Sequence, residues 1–325
     1  MATGKDQGKR KPKNEAPGPF DRRLMDKQMA AIGRLLEEQD FETEEEANAF
    51  LQELLSSGEL PSVAPATPLD EAQEIVFQAL ETTGKRREKL ARKALSISAD
   101  CADAYTLLAE ATKDPEEARR LYEQGVQAGE RALGEEMFTE LEGEFWGILE
   151  TRPYMRARLG LATVLWELGE RQAAIEHLQA MLRLNPGDNQ GIRYLLAGWL
   201  LVVKDDAALD RLLAQYPDES SAFWAYTKAL HTFHRKGAKK QVAKALQQAI
   251  DVNPFVPAYL LGLMPLPKEL PPYYGMGTPE EAVIYLAEAG EAWMEIPGAL
   301  QWLAEFLLQP PAPMPGMRQP KSHRK

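Results

Sequence analysis

The sequence predicts an all-α fold, a right-handed solenoid of stacked helical hairpins with helical insertions. Three observations carry that expectation. Ala, Leu and Glu dominate the 325 residues while Val, Ile and Thr are thin, a bias toward helix over strand. Apolar residues recur at helical spacing in one segment after another. From about Met155 to Pro254 the apolar pattern itself repeats at intervals of about 34 residues.

Residues 1–20 are rich in Lys, Gly, Pro and Asn without apolar periodicity, and read as a disordered basic tail. An N-terminal helical region follows over 21–60. Its first helix, about Asp21–Glu38, rests on Leu24, Met25, Ala31, Ile32, Leu35 and Leu36. Its second, about Thr43–Ser56, opens on a Thr43/Glu46 capping box and stops at Gly58. Pro61, Pro65 and Pro68 make 61–69 a linker.

A tetratricopeptide-like repeat domain is expected over 70–308. In Met155–Asp188 the residues Leu161, Ala162, Leu165, Gly169, Ala174, Leu178 and Pro186 stand at tetratricopeptide intervals. Small residues at 162 and 174 let two antiparallel helices approach, Gly169 makes the turn and Pro186 ends the second helix. A second good unit starts near Phe223, with Tyr226, Ala229, Phe233, Leu246, Ala249 and Pro254 in the matching slots. The unit between them meets Pro217 early, so its second helix is short by about one turn. Upstream, Glu71–Glu81 pairs with Arg86–Ile97, and Ala102–Ala111 with Pro115–Leu133. Two insertions break the pattern, 134–154 with Phe145 and Trp146, and 265–277 with four prolines and Tyr273 and Tyr274. Thr278-Pro279-Glu280-Glu281 opens another capped helix, and a terminal one ends near Leu308. Residues 309–325 read as a disordered Pro-rich, basic tail.

Net charge −11 argues against a nucleic-acid binder. Residues 1–23 hold seven Lys/Arg against three Asp/Glu, a local +4, which leaves −15 on the rest. The lone cysteine, Cys101, cannot form an internal disulfide and sits beside Asp100 and Asp103, which disfavour a thiolate. The longest apolar run, Leu195–Val203, is about half a membrane span. No leader is visible, and a cytoplasmic protein is expected.

No phosphate loop, nucleotide fingerprint, metalloprotease helix or nucleophile elbow is present, so neither a catalytic residue nor a cofactor is expected. His231 and His234 share a helix face, but zinc needs a further ligand that is not visible, so no metal is expected. The first helix of each stacked pair lines the inner face of a solenoid. That places Arg156, Trp166, Arg193, Trp224, His231 and Arg235 on the inner face as candidate partner-binding residues. Arginines and aromatics suit a hot spot, and an arginine fork suits an acidic peptide or a C-terminal carboxylate.

Three segments carry a further resemblance: Glu144–Tyr154 (EFWGILETRPY), Asn189–Leu196 (NQGIRYLL) and Ala249–Leu261 (AIDVNPFVPAYLL). Across roughly residues 22–308 the chain resembles bacterial relatives of the suppressor of tumorigenicity seven family. The resemblance implies a helical-repeat protein without established catalytic residues. It does not bring the membrane segment of eukaryotic members, nor the cysteine-rich SEC-C metal tail of some bacterial ones, because this chain has one cysteine. Two functions are therefore expected to compete. One is an interaction scaffold holding a peptide or protein in the concave groove. The other is a non-catalytic subunit or a cryptic enzyme whose two aromatic insertions close a pocket.

Overall fold

The structure, a computed structural model, describes residues 23–39, 41–57 and 64–308. The expected tails and the start of the 61–69 linker lie outside them. Among the described residues there are fifteen α-helices and no strand. Five hairpins form the body: α3 (Pro68–Leu80) with α4 (Gly84–Ile97), α5 (Ala102–Ala111) with α6 (Pro115–Glu140), α7 (Arg152–Glu167) with α8 (Arg171–Leu184), α9 (Ile192–Val203) with α10 (Asp206–Gln215), and α11 (Ala222–Lys236) with α12 (Lys240–Val252). Ahead of them stand α1 (Arg23–Glu37) and α2 (Glu44–Ser57). After them come α13 (Val256–Leu260), α14 (Pro279–Glu295) and α15 (Ala299–Leu307).

Local chemistry sets the boundaries. The Thr43 hydroxyl accepts from Glu46 N at 3.2 Å, while the Glu46 carboxylate takes Glu42 N at 3.0 Å. α3 starts within the expected linker because Thr67 and Asp70 form a reciprocal capping box ahead of Pro68. Asp114 caps α6 and Thr278 caps α14 through the amides of Glu116 and Glu281. Gly169 turns α7 into α8 at φ +84°, a left-handed conformation that favours glycine. α10 has ten residues against fourteen in α8, because Pro217 follows at once.

The insertion at 134–154 is helical at both ends. Gly134 bends α6 at φ 72°, but the helix runs on to Glu140. Two short 3₁₀ turns follow, Phe145–Gly147 and Leu149–Thr151, and α7 has begun by Arg152. Phe145 is fully buried and meets the rings of Phe138 and Tyr154 at 5.0 and 6.2 Å. The segment is thus an aromatic plug at the α6–α7 junction.

The last unit departs most from a regular repeat. α13 stops after five residues at Leu261 and Gly262, and the prolines beyond cannot extend it. The chain then crosses to the other side, and α14 packs most extensively on α9 and also on α11. Both are first helices of their pairs. The apolar residues form two clusters. A small one spans Ala72 to Leu108 and a large one Val126 to Leu303. α14 approaches α9 so closely that a Cβ on Gly198 would lie 2.6 Å from the Glu288 carbonyl oxygen and 3.2 Å from Ala289 Cα. Gly198→Ala is therefore expected to push α14 off α9 and cost about 1–3 kcal/mol, as overpacking does. Urea unfolding of the two proteins checks it, and an unchanged midpoint would refute the close contact.

Candidate functional site: the inner face and its two internal occupants

The first helices of the hairpins line the inner face of the stack. In this chain two of its own helices lie on that face, α1 over the N-terminal half and α14 over the C-terminal half.

α14 is held mainly by apolar contact. Tyr285 and Trp293 are fully buried. Tyr285 meets Phe223 and Tyr226 at 5.7 and 5.6 Å, and Trp293 Nε1 donates to the Tyr285 hydroxyl at 2.7 Å. Trp302 of α15 stacks on Phe233 at 4.5 Å. Two carboxylates of α14 then satisfy polar groups of the repeats. Glu281, fully buried, accepts from Ala222 N at 2.9 Å, Asn253 Nδ2 at 2.9 Å and Gly277 N at 2.7 Å. Glu291 accepts from Trp166 Nε1 at 3.0 Å and Arg171 at 2.9 Å.

α1 is held mainly by charge. Asp26 gives one oxygen to Arg152 at 2.5 Å and the other to Arg156 at 2.6 Å. Arg156 simultaneously forms a bidentate pair with Asp103 of α5 at 2.9 and 2.6 Å. Asp103 also accepts from Gln73 of α3 at 3.0 Å. Further along α1, Arg23 pairs with Glu110, Lys27 with Glu81 and Arg34 with Glu74. Among the described side chains of α1, Leu35 alone is buried, and Met25 and Met29 are exposed. Burial works against the charge of Asp103, but the Arg156 charge and hydrogen bonds outweigh it and hold the carboxyl below its ordinary value. The carboxylates of Asp103 and Asp26 raise Arg156 against the effect of its own burial.

The six residues expected on the inner face reach different fates. Arg156 faces inward, and its guanidinium is shared by Asp26 and Asp103. Trp166 stacks on Trp199 at 4.4 Å under the Arg171 guanidinium, with its indole N–H taken by Glu291. Arg193 bonds Asp188 at 2.9 Å and Glu219 at 2.7 Å and lies over the rings of Tyr194 and Tyr216. Asp188 in turn caps α9 through the amides of Ile192 and Arg193. Trp224 is wholly enclosed, edge-on to Tyr194 and Tyr216, so it offers a partner no surface. His231 is buried against α10, with Nε2 at 2.9 Å from Asp210 and Nδ1 at 3.4 Å from Asp206. Arg235, about half exposed, pairs with the same Asp210 at 3.0 Å. The structure joins His231 with Arg235 through Asp210, joins Arg193 with Trp224 through Tyr194 and Tyr216, and leaves Arg156 and Trp166 apart.

The residues that organise the face, Asp26, Asp103, Arg152, Glu281 and Glu291, were not among those expected. They are acids among many acids, plus one arginine ahead of Pro153. Only Glu281 carried a signal, as part of the Thr278 cap. Cys101 is buried, with its thiol pushed up to about 12 by burial and then by Asp103. Among the described residues no group of three or more His, Cys, Asp or Glu is arranged to hold a metal, and no helix is long and apolar enough to cross a membrane. The two insertions pack on different elements, 134–154 on α6 and α7, and Tyr274 of 265–277 on Phe223 of α11.

One buried acid on α14 has no match. Glu288 is mostly buried, and its Oε2 lacks a partner. Burial, and then the charge of Asp188, push its carboxyl up to about 8. An unfolded Glu releases its proton near pH 4.3. Between about pH 4 and 8 the folded state therefore holds a proton that the unfolded chain has lost. Stability falls as pH rises through that window and levels off above it. Glu288→Gln is expected to remove this decline. Urea midpoints of both proteins at pH 5 and pH 8.5 test it, and parallel pH profiles would refute it.

The ST7 protein family matches residues 63–307. The Suppressor of tumorigenicity 7 protein-like proteins of Rattus norvegicus and Mus musculus are each 30% identical over 243 residues, covering 67% of this chain and 43% of theirs. The Protein ST7 homolog of Drosophila pseudoobscura pseudoobscura is 26% identical over 265 residues, covering 72% of this chain and 48% of its own. The chain thus spans less than half the length of these relatives. Among solved structures it is similar to YrrB, described as a TPR protein with an unusual peptide-binding site, at TM-score 0.39 and 19% identity, covering 62% of this chain and 91% of that one. With a family match across most of the repeat body, on a fold of stacked helical hairpins, this chain belongs to the ST7 protein family.

Proposed function

We propose that the protein is a non-catalytic scaffold that holds a partner protein on the N-terminal half of its inner face, with α1 as a reversible cover. The observation that supports this most is the Asp26 carboxylate of α1, shared between Arg152 and Arg156. An arginine pair that reads a carboxylate carried on a helix already operates inside the molecule. The C-terminal half is sealed by buried aromatics of α14, whereas α1 rests on ion pairs and little apolar area. Contacts of that kind belong to the low-stability end of a structure. The partner class is a protein segment with an acidic residue that takes the place of Asp26. A nucleic acid does not suit a body of charge −15. The single buried cysteine, free of any disulfide, supports work in the cytoplasm.

Hydrogen exchange on the full chain tests the cover. The α1 amides are expected to exchange at least about tenfold faster than those of α14, and faster still at about 0.5 M salt, where the exposed Lys27–Glu81 pair is screened. Asp26→Lys should release α1 at low salt and leave α14 protected. If α1 exchanges as slowly as α14 in both proteins, it is not a cover.

A further inference from the structure

The seat beneath α1 is larger than α1. A cavity of about 210 Å³ lies between this helix and the floor. On its α1 side stands one stripe, Asp26, Ala30 and Arg34, spaced by four residues so that all three share a face. Opposite are Phe77 of α3, Leu133 and Met137 of α6, and Pro153 of α7. Interiors are normally packed with few voids larger than a water molecule. Here the middle of the stripe is a single methyl group, on a cavity whose lining includes the large apolar side chains of Phe77, Leu133 and Met137. The two ends of the stripe are well made. Asp26 is gripped by Arg152 and Arg156, and Arg34 reaches Glu74 at 2.5 Å. Arg34 Nε, buried, has no acceptor. The charges of α1 thus fit its seat, and its apolar centre does not fill it.

We infer that the occupant fitting this seat best is an amphipathic helix of a partner protein with a carboxylate at the Asp26 place and a large apolar residue, Leu or Phe, one turn later. The inference rests on the reading of α1 as a cover and specifies what replaces it. A helix is favoured over other shapes because the arginine pair and the void lie one helical turn apart along a groove that already holds a helix. A second copy of this chain fits worse, because its α1 brings the same alanine. The resting cover is then weaker than a matched partner, by the apolar contact that Ala30 does not make. A partner side chain with three more carbon atoms than alanine gains about tenfold or more in affinity over α1.

The test uses the full chain carrying Asp26→Lys, checked for its helical circular dichroism. Fluorescent synthetic peptides of residues 23–37 are titrated into it, one with the native sequence and one with Ala30→Leu. The expected result is binding of both, with the Ala30→Leu peptide about tenfold tighter, and loss of binding when Asp26→Asn is placed in either peptide. In the unsubstituted chain, which needs no release by mutation, the Ala30→Leu peptide should compete with α1 and speed the exchange of its amides. Ala30→Leu placed in the chain itself should slow that exchange. Equal affinity of the two peptides, or unchanged exchange in the Ala30→Leu chain, overturns the partner chemistry and leaves the void to another ligand, while the cover itself stands. Failure of both peptides to bind overturns the cover together with the partner.

Discussion

Arg156 is a cation that cannot be neutralised, placed where water hardly reaches. Its guanidinium lies between two apolar clusters, one built on α3–α5 and the other running from α6 to α15. A buried arginine is tolerated only when its fork is matched by acceptors. Asp103 on α5 supplies a bidentate match across the seam, and Asp26 on α1 supplies the rest. The register of α5 against α7, the seat of α1 and the polar floor of the inner face all follow from that requirement. Replacing Asp103 with an apolar residue would leave the Arg156 charge without its bidentate match at the junction of two cores, which is costlier than the loss of an exposed ion pair.

The two helices on the inner face show two ways of holding an element. α14 brings Tyr285 and Trp293 into the core and sets Ala289 against Gly198, so its attachment is mainly apolar and close. Its polar groups, Glu281 and Glu291, satisfy donors that the repeats themselves leave over. α1 brings charge first, and the middle of its inward stripe is an alanine over empty space. Apolar burial of the first kind contributes several side chains' worth of transfer energy, whereas ion pairs of the second kind contribute little each unless well enclosed. The asymmetry gives the inner face a closed half and a half that can open.

Much of the fold was legible. Helical spacing, the 34-residue recurrence, Gly169, Pro186, Pro217 and the Thr43 and Thr278 caps are local features, and local features survive into the structure almost unchanged. Gly134 was legible as a break but not as a bend, because a glycine inside a strong helical pattern can serve either role. The path of α14 was not legible. Periodicity shows that a helix has an apolar face, but not which surface that face will cover. The candidate residues suffered from the same limit. The repeat register gives Arg156, Trp166 and Arg193 a helix face, but their contacts come from α1, from α14 and from the turns ahead of α9 and α11, distant in sequence or irregular in form. Trp224 and His231 face neighbouring helices instead, a rotation of a fraction of a turn that a divergent repeat does not fix.

Solenoids of stacked hairpins behave as springs, because each unit touches only its neighbours and small rotations add along the stack. A helix laid along the inner face acts on such a spring as a splint. α14 reaches from the end of α7 at Trp166 to α11, so it ties three successive units and holds their curvature fixed. Among the described residues no comparable apolar strut spans α3, α5 and α7. Compliance in this molecule is therefore greater in the units ahead of α7 than in the three that α14 ties. A pull or a twist applied to the whole chain would be taken up there, with the C-terminal units moving as one block.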